Sequence, residues 1–260
     1  MLVSDPMASD VADGLQRAPS NPFWVLGAGG LGCPALLGLA AAGAHKITVF
    51  DDDRVDATNL QRQVLFAHAD VGANKVAAAA QNLRGRGLTV HAKRRRLTPQ
   101  GLEELLRDAP KDTILLDCSD DPTLKFAVND LCLRANLGAV ICGVSKWQGQ
   151  IMAVSQGATC YRCLFEAPPP RELAPPCSAV GIAGPAAGVF GYWMAALAVR
   201  LATATPDERM SIAGKLHVCS LINMTIQKLS PPPRAGCRAC AGHVPALLEP
   251  PTACRTAVKH

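Results

Sequence analysis

Aromatic residues are scarce in this 260-residue chain: three Trp, two Tyr and six Phe, 4% of the total. A surface that stacks nucleobases needs such rings, so nucleic-acid binding is disfavoured. Charged residues are also few, at 18%, and the net charge is only +5. That excess suits an anionic ligand or an acidic partner but is too weak for a nucleic-acid scaffold. The opening segment, MLVSDPMASDVADG, carries acids where a secretory leader would carry cations ahead of an apolar core. The expected compartment is therefore the cytoplasm, and the eleven cysteines are expected to be reduced or metal-bound rather than disulfide-linked. The uncharged run Ser178 to Val199 is solitary and broken by Pro185 and four glycines, so it reads as a buried core helix and not a membrane span. Gly184 and Gly188 give it a small-residue face for close helix packing or a subunit contact. No internal repeat is evident.

What the chain does have is apolar content, 49%, enough for a compact globule of one domain or one with a subdomain. Its organising stretch runs from Phe23 to Leu65. The apolar run Phe23 to Leu26 reads as a buried strand and meets G-x-G-x-x-G at Gly27, Gly29 and Gly32. A helix follows, with Pro34 in its first turn and an expected stop at Gly43. A second strand, Ile47 to Phe50, ends on Asp51. Strand, glycine turn, helix, strand and acid is the dinucleotide-type phosphate motif. Gly27 permits the turn, Gly29 admits a phosphate to the backbone, and Gly32 lets helix and strand pack closely. The helix N-terminus favours an anion, and Asp51 is placed to accept hydrogen bonds from a ribose. Asp51-Asp52-Asp53, Asn59, Arg62, Gln63 and Lys75 then return polar and cationic groups to the same crevice. Arg62 and Lys75 suit a triphosphate, one as a planar fork and one as a point charge.

Further on, helices are expected over Asn74 to Arg84, from Pro99 to Arg107 and from Pro122 to Asn136, and strands over Leu88 to Lys93, Thr113 to Asp117 and Ala139 to Gly143. The run Lys93-Arg94-Arg95-Arg96 reads as a solvated strand end in preference to an anion site. Since the C-terminal strand ends of a parallel sheet line the ligand crevice, Asp117 to Asp120 should face the glycine turn. Asp120 is then a candidate for a metal-bound phosphate contact, with Asp121 free to cap the helix. The second half changes character: Gly149 to Ser155 alternates like an antiparallel strand, and Lys215 to Leu229 holds one or two more. The expected parts are a flexible arm (1–21), a Rossmann-like nucleotide-binding part (22–145), an antiparallel part of the same domain that carries the paired cysteines (146–242) and a tail (243–260). The fold class is α/β: a doubly wound, mostly parallel sheet extended by antiparallel strands.

Two C-x-x-C pairs, Cys160/Cys163 and Cys237/Cys240, form a candidate four-thiolate zinc site with a closed, structural shell. Cys177, between a proline-rich run and the apolar helix, is either a nucleophile activated by a helix N-terminus or a small buried hydrophobe. Cys33, Cys118, Cys132, Cys142 and Cys219 lie in core elements and read as packing.

The strings VLGAGGLGCPA, VFDDDRVDATNLQRQVLF, DVGANKV, LLDCSDD, GQIMAV, CYRCLF, CSAVGIAGPAAGVFG and GCRAC occur in this order over residues 25 to about 240. They resemble the ubiquitin-activating-enzyme-like adenylyltransferases of the MoeB/ThiF/HesA type. The resemblance implies ATP-dependent adenylation of the C-terminal Gly-Gly carboxylate of a small β-grasp sulfur carrier, ahead of thiocarboxylate formation. It implies that Asp51 holds the ribose, that Asn59, Arg62, Gln63 and Lys75 surround the phosphates, and that Asp120 binds Mg2+. Gly27, Gly29, Gly30, Gly32 and Asp53 complete the nucleotide-binding set. Arg62, Lys75, Asp120 and Cys177 are the expected catalytic residues, Cys177 standing at the family's reactive cysteine. Zn2+, a homodimer and a separate sulfur donor, either a cysteine desulfurase or a rhodanese, are also implied. The family's R-Y-x-R-Q segment has no counterpart in residues 1–21, where Arg17 is the sole basic residue, and the usual Asn after the metal-binding Asp is Asp121. Two other readings stand beside this one: a nicotinamide-dependent oxidoreductase on the same turn, and a non-catalytic, zinc-stapled carrier- or peptide-binding relative.

Overall fold

A computed structural model describes residues 18–169 and 181–240. Eight strands form one sheet between two helical layers. Strands β1 (Phe23–Leu26), β2 (Ile47–Asp51), β3 (Val90–Arg94), β4 (Ile114–Asp117) and β5 (Gly138–Ser145) run parallel. Strands β6 (Gln148–Val154), β7 (Leu216–Ser220) and β8 (Thr225–Leu229) extend the sheet antiparallel beyond β5. The spatial order is β3-β2-β1-β4-β5-β6-β7-β8. Chain direction of growth therefore reverses between β1 and β4, and a ligand crevice is expected outside their C-terminal ends.

Alternation along the strands decides which layer each residue joins. Phe23, Val25, Ile47, Val49, Ile114 and Leu116 point to one face. It is covered by α1 (Gly32–Ala41), α2 (Lys75–Arg84) and α6 (Gly184–Thr203). Trp24, Leu26, Phe50, Leu115, Ile141 and Met152 point to the other, under α3 (Pro99–Arg107), α4 (Pro122–Arg134) and the single turn α5 (Tyr161–Leu164). The short α7 (Pro206–Ile212) links α6 to β7, its start held by a capping box between Thr205 and Glu208. Helix α6 is long and apolar enough to span a bilayer by composition, but half of its most apolar window is buried here, against the sheet and α1. It reads as a core helix.

The close packing of α1 on α6 uses different small residues from those expected. A Cβ on Gly191 would lie 2.6 Å from the Leu31 carbonyl, and one on Gly38 would lie 2.7 Å from Ala195. Gly188 faces open space, and Gly184 packs on the Gln61 backbone rather than on another helix. The helical period puts Gly184 and Gly188 on one stripe, but the stripe one turn further on meets α1. Strand and helix bounds agree with the sequence pattern to within a few residues. The largest shift is at α6, which runs on to Thr203 beyond the uncharged run that ends at Val199; β3 starts at Val90, and β5 runs on to Ser145.

Candidate active site

The crevice opens where expected, at the C-terminal ends of β1, β2 and β4, with a volume of about 410 Å³. Gly27 takes φ +103°, a left-handed conformation that suits glycine, and its N–H donates to the Phe50 carbonyl at 2.8 Å. A Cβ on Gly32 would come within 1.9 Å of the Gly27 carbonyl oxygen, so α1 can start this close to β1 only with glycine there. A Cβ on Gly29 would meet nothing within 4 Å. The wall of the crevice is open at that point, as a phosphate cradle requires. No side chain caps the start of α1, which leaves its positive end for a ligand.

Asp51 lines the crevice, but both of its carboxylate oxygens already accept backbone hydrogen bonds, from Ala28 N–H and Asp53 N–H, each at 2.8 Å. The expected ribose acceptor thus also ties the glycine turn to the end of β2. Lys75, only 6% exposed, ion-pairs with Asp53 at 2.8 Å. Asp53 therefore orients the lysine in the free protein. Arg62 lays its aliphatic stem over Gly30, and its guanidinium donates to the Asn59 side-chain oxygen. Gln63 is 3% exposed, and its side-chain oxygen has no partner among the described residues. A buried polar atom left unpaired costs roughly 1–3 kcal/mol, so this one waits on a bound group or water. All of these residues line one crevice.

Asp120 also reaches it and makes no hydrogen bond or ion pair among the described residues. The capping role falls to Asp121, whose carboxylate accepts from Thr123 N–H at 2.8 Å. Asp117 is a correction. It is fully buried, does not line the crevice, and pairs with Lys125 at 3.0 Å. The last residue of β4 points into the helical layer, and the loop after it reaches the crevice. The basic run is largely exposed at the end of β3, as a solvated strand end should be, and it also reaches the crevice. Arg95 and Arg96 line the crevice wall with Leu97. Pairing of Arg94 with Asp51 at the end of the β2/β3 ladder explains this: the residues that follow Arg94 leave the strand beside the acids of β2. The run itself was legible, but its position needed that register.

The four expected zinc ligands converge. The sulfurs of Cys160, Cys163, Cys237 and Cys240 all lie within 4.8 Å of one another, with pairs at 3.4, 3.6 and 3.8 Å. A tetrahedral Zn–S shell of about 2.3 Å gives sulfur–sulfur edges of about 3.8 Å, so the set fits zinc. The Arg234 N–H donates to the Cys163 sulfur at 3.3 Å, support of the kind a thiolate needs. Without a cation the thiols differ. Burial pushes Cys160 well up and Cys240 up to about 12, whereas Cys237, against the effect of burial, is brought down to about 7 by the N–H groups of Cys240 and Ala239. The knuckle is fastened to α4: Tyr161 N–H donates to the Asn129 side chain at 2.8 Å, and Arg162 binds both oxygens of Asp130 at 2.7 and 2.8 Å. Nothing in the spacing of the sequence announced this buried pair. Cys33, Cys118, Cys132, Cys142 and Cys219 are buried, as packing requires, and burial pushes Cys33 and Cys142 up to about 12. Cys177, the arm before Ala18 and the tail lie outside the described residues.

A doubly wound sheet with a glycine turn at its switch point, cations and a free carboxylate around it, and a four-thiolate staple defines a nucleotide-binding protein of the Rossmann type. The chain belongs to the ThiF family, whose model matches residues 8–239. It is similar to "Adenylyltransferase and sulfurtransferase uba4" of Aspergillus terreus, 34% identical over 86% of this chain and 48% of that protein. It is also similar to the "SAMP-activating enzyme E1" of Haloferax volcanii, 31% identical over 88% of this chain and 83% of that one. The chain thus spans about half the length of the Uba4 relatives it matches. Among solved structures, that of E. coli MccB with ATP superposes with a TM-score of 0.71 and 25% identity, over 88% of this chain and 68% of that one.

Proposed function

We propose that the chain adenylates the C-terminal Gly-Gly carboxylate of a small β-grasp, ubiquitin-like sulfur carrier, using ATP as the second substrate. One carboxylate oxygen attacks the α-phosphorus. The bond from that phosphorus to the bridging oxygen breaks, and its electron pair leaves with pyrophosphate, giving the carrier acyl-adenylate. A carboxylate is ionised at neutral pH, so no general base is needed. The barrier is one of positioning and of phosphate charge. Gly29 and the start of α1 receive the phosphates, Lys75 and Arg62 offset their charge, and Asn59 and Gln63 aim polar groups alongside. Asp120 would hold Mg2+, which when bound supplies neutralisation of the leaving pyrophosphate.

One observation carries this reading: two cations and an unpartnered carboxylate converge on a single open glycine turn. The activities for which the Uba4 and SAMP-activating relatives are named, and the ATP in the MccB structure, support it. Exposed Ile222, Met224 and Ile226 on and before β8 offer an apolar surface for the carrier. The reading also includes a structural Zn2+ in the four-cysteine knuckle, a separate desulfurase or rhodanese as sulfur donor, a homodimer and a cytoplasmic setting. The role of Cys177 belongs to the later sulfur-transfer step. The test is pyrophosphate exchange into ATP with a β-grasp protein ending in Gly-Gly. Exchange should require that partner and cease when its two glycines are removed. Absence of any calorimetric binding of Mg-ATP to folded, zinc-loaded protein would overturn the reading.

A further inference from the structure

Lys125 stands in the first turns of α4, 8% exposed, and none of the chemistry above uses it. All three of its ammonium protons are committed. One goes to the Asp117 carboxylate at 3.0 Å, one to the Ser119 carbonyl at 2.7 Å and one to the Cys142 carbonyl on β5 at 2.6 Å. The other oxygen of Asp117 accepts from both the N–H and the hydroxyl of Ser119, at 3.1 and 2.6 Å. Ser119 is therefore held at its carbonyl, amide and side chain. On the far side, Asp121 is fixed as the N-cap of α4 through Thr123. Asp120 lies between these two anchors. Its backbone is fixed from both sides while its carboxylate has no partner among the described residues and lines the crevice. Burial acts most strongly, to lower the Lys125 pKa, but the charge and hydrogen bond of Asp117, with Cys142 and Tyr161 nearby, together outweigh it, so the lysine stays protonated and the clamp intact.

From this geometry we propose that Lys125 is a positioning residue: with Asp117 it clamps the Cys118–Asp121 loop so that the Asp120 carboxylate is preset for a nucleotide-bound divalent cation. The inference rests on the nucleotide reading of the crevice. A carboxylate on an unclamped loop would have to be ordered by the cation itself, and the cation would add less to nucleotide affinity.

The test measures ATP affinity by calorimetry with and without Mg2+ on the zinc-loaded full chain. It compares wild type, Lys125→Arg, Lys125→Met and the double variant Asp117→Asn/Lys125→Met. The double variant leaves no buried charge unpaired, so it keeps the test valid if Lys125→Met alone does not fold. The expected result is that the folded double variant binds ATP without Mg2+ as wild type does, while the gain in affinity from Mg2+ shrinks at least fivefold. Lys125→Arg should restore most of that gain. A residue that served only the core would not change this ratio. If the double variant keeps the full wild-type gain, the inference is wrong and the nucleotide reading survives. If wild type itself shows no ATP binding, the nucleotide reading fails first.

Discussion

The crevice and the cysteine knuckle are both fastened to α4, and they differ in how their polar groups are satisfied. At the knuckle nearly everything is paired within the protein. Two of the four sulfurs are fully buried, Arg162 closes on Asp130, and the same guanidinium lies over the Phe126 ring at 4.8 Å. At the crevice, among the described residues, Asp120 has no partner, the Gln63 oxygen is buried and unpaired, and nothing stands above Gly29. A region completed from within contributes stability. A region whose charges and dipoles are left open is shaped for something that arrives. The nine steps from Asp121 to Asp130 place the two about 13 Å apart along the helix axis, so a damaged knuckle, which helps to hold that helix, should be felt at the crevice.

The most severe way to break this contrast is to strip from the knuckle the Zn2+ proposed for it. Binding energies of structural zinc are about 10 kcal/mol or more in small zinc domains. A strong chelator, or Cys237→Ser, is expected to lower the melting temperature by more than 10 °C and to weaken ATP binding with it. Calorimetric melting with parallel zinc analysis checks this. A zinc-free protein that melts as wild type would show the four thiols to be incidental.

Next in size is Asp120→Ala. It removes a group that holds nothing in the free protein, so the melting temperature should stay within about a degree. Pyrophosphate exchange should fall by roughly 100- to 1,000-fold, the usual range for removing one preorganised electrostatic group. Unchanged exchange would take Asp120 out of the mechanism. A large drop in melting temperature would instead mean that the crevice is not the open region described here.

Arg162→Met tests the knuckle from the other side. It leaves the Asp130 carboxylate, mostly buried, without its cation, a loss of about 3 kcal/mol. Adding Asp130→Asn should recover most of it, since a buried pair replaced as a pair costs little. Denaturant midpoints of the three variants give the coupling. Equal stability of the single and double variants would show that the pair is not a unit.

Much of this contrast was legible in the sequence, for physical reasons that can be named. The glycine turn was readable because Gly27, Gly29 and Gly32 each answer a local backbone demand. The four sulfurs were readable because a tetrahedral ion imposes a residue type and a short spacing on each pair. Asp120 could be separated from Asp121 because only one of two adjacent acids can cap the helix. What could not be read depends on tertiary register. Arg95 and Arg96 reach the crevice only because β3 lies beside β2 with Arg94 opposite Asp51. Lys125 meets Asp117 only because the end of β4 turns inward under α4. A lysine within an apolar helix carries no local signal of its buried partner.

The smallest change separates the two kinds of region most cleanly. Gly32→Ala would place a methyl 1.9 Å from the Gly27 carbonyl, so helix and strand must part, and the loss should appear in stability. Gly29→Ala places its methyl in open space, and its φ is not one that demands glycine. The free protein should hardly register it, with the melting temperature unchanged within about a degree. The phosphate should register it, because the methyl occupies the path by which an anion reaches the backbone. A fall in ATP affinity of about tenfold, near 1.4 kcal/mol, with no change in stability is the expected result. It comes from calorimetry and melting on one preparation. Equal affinity would mean that the phosphates do not approach at Gly29, and the crevice would have to be filled from its Arg95–Arg96 wall instead.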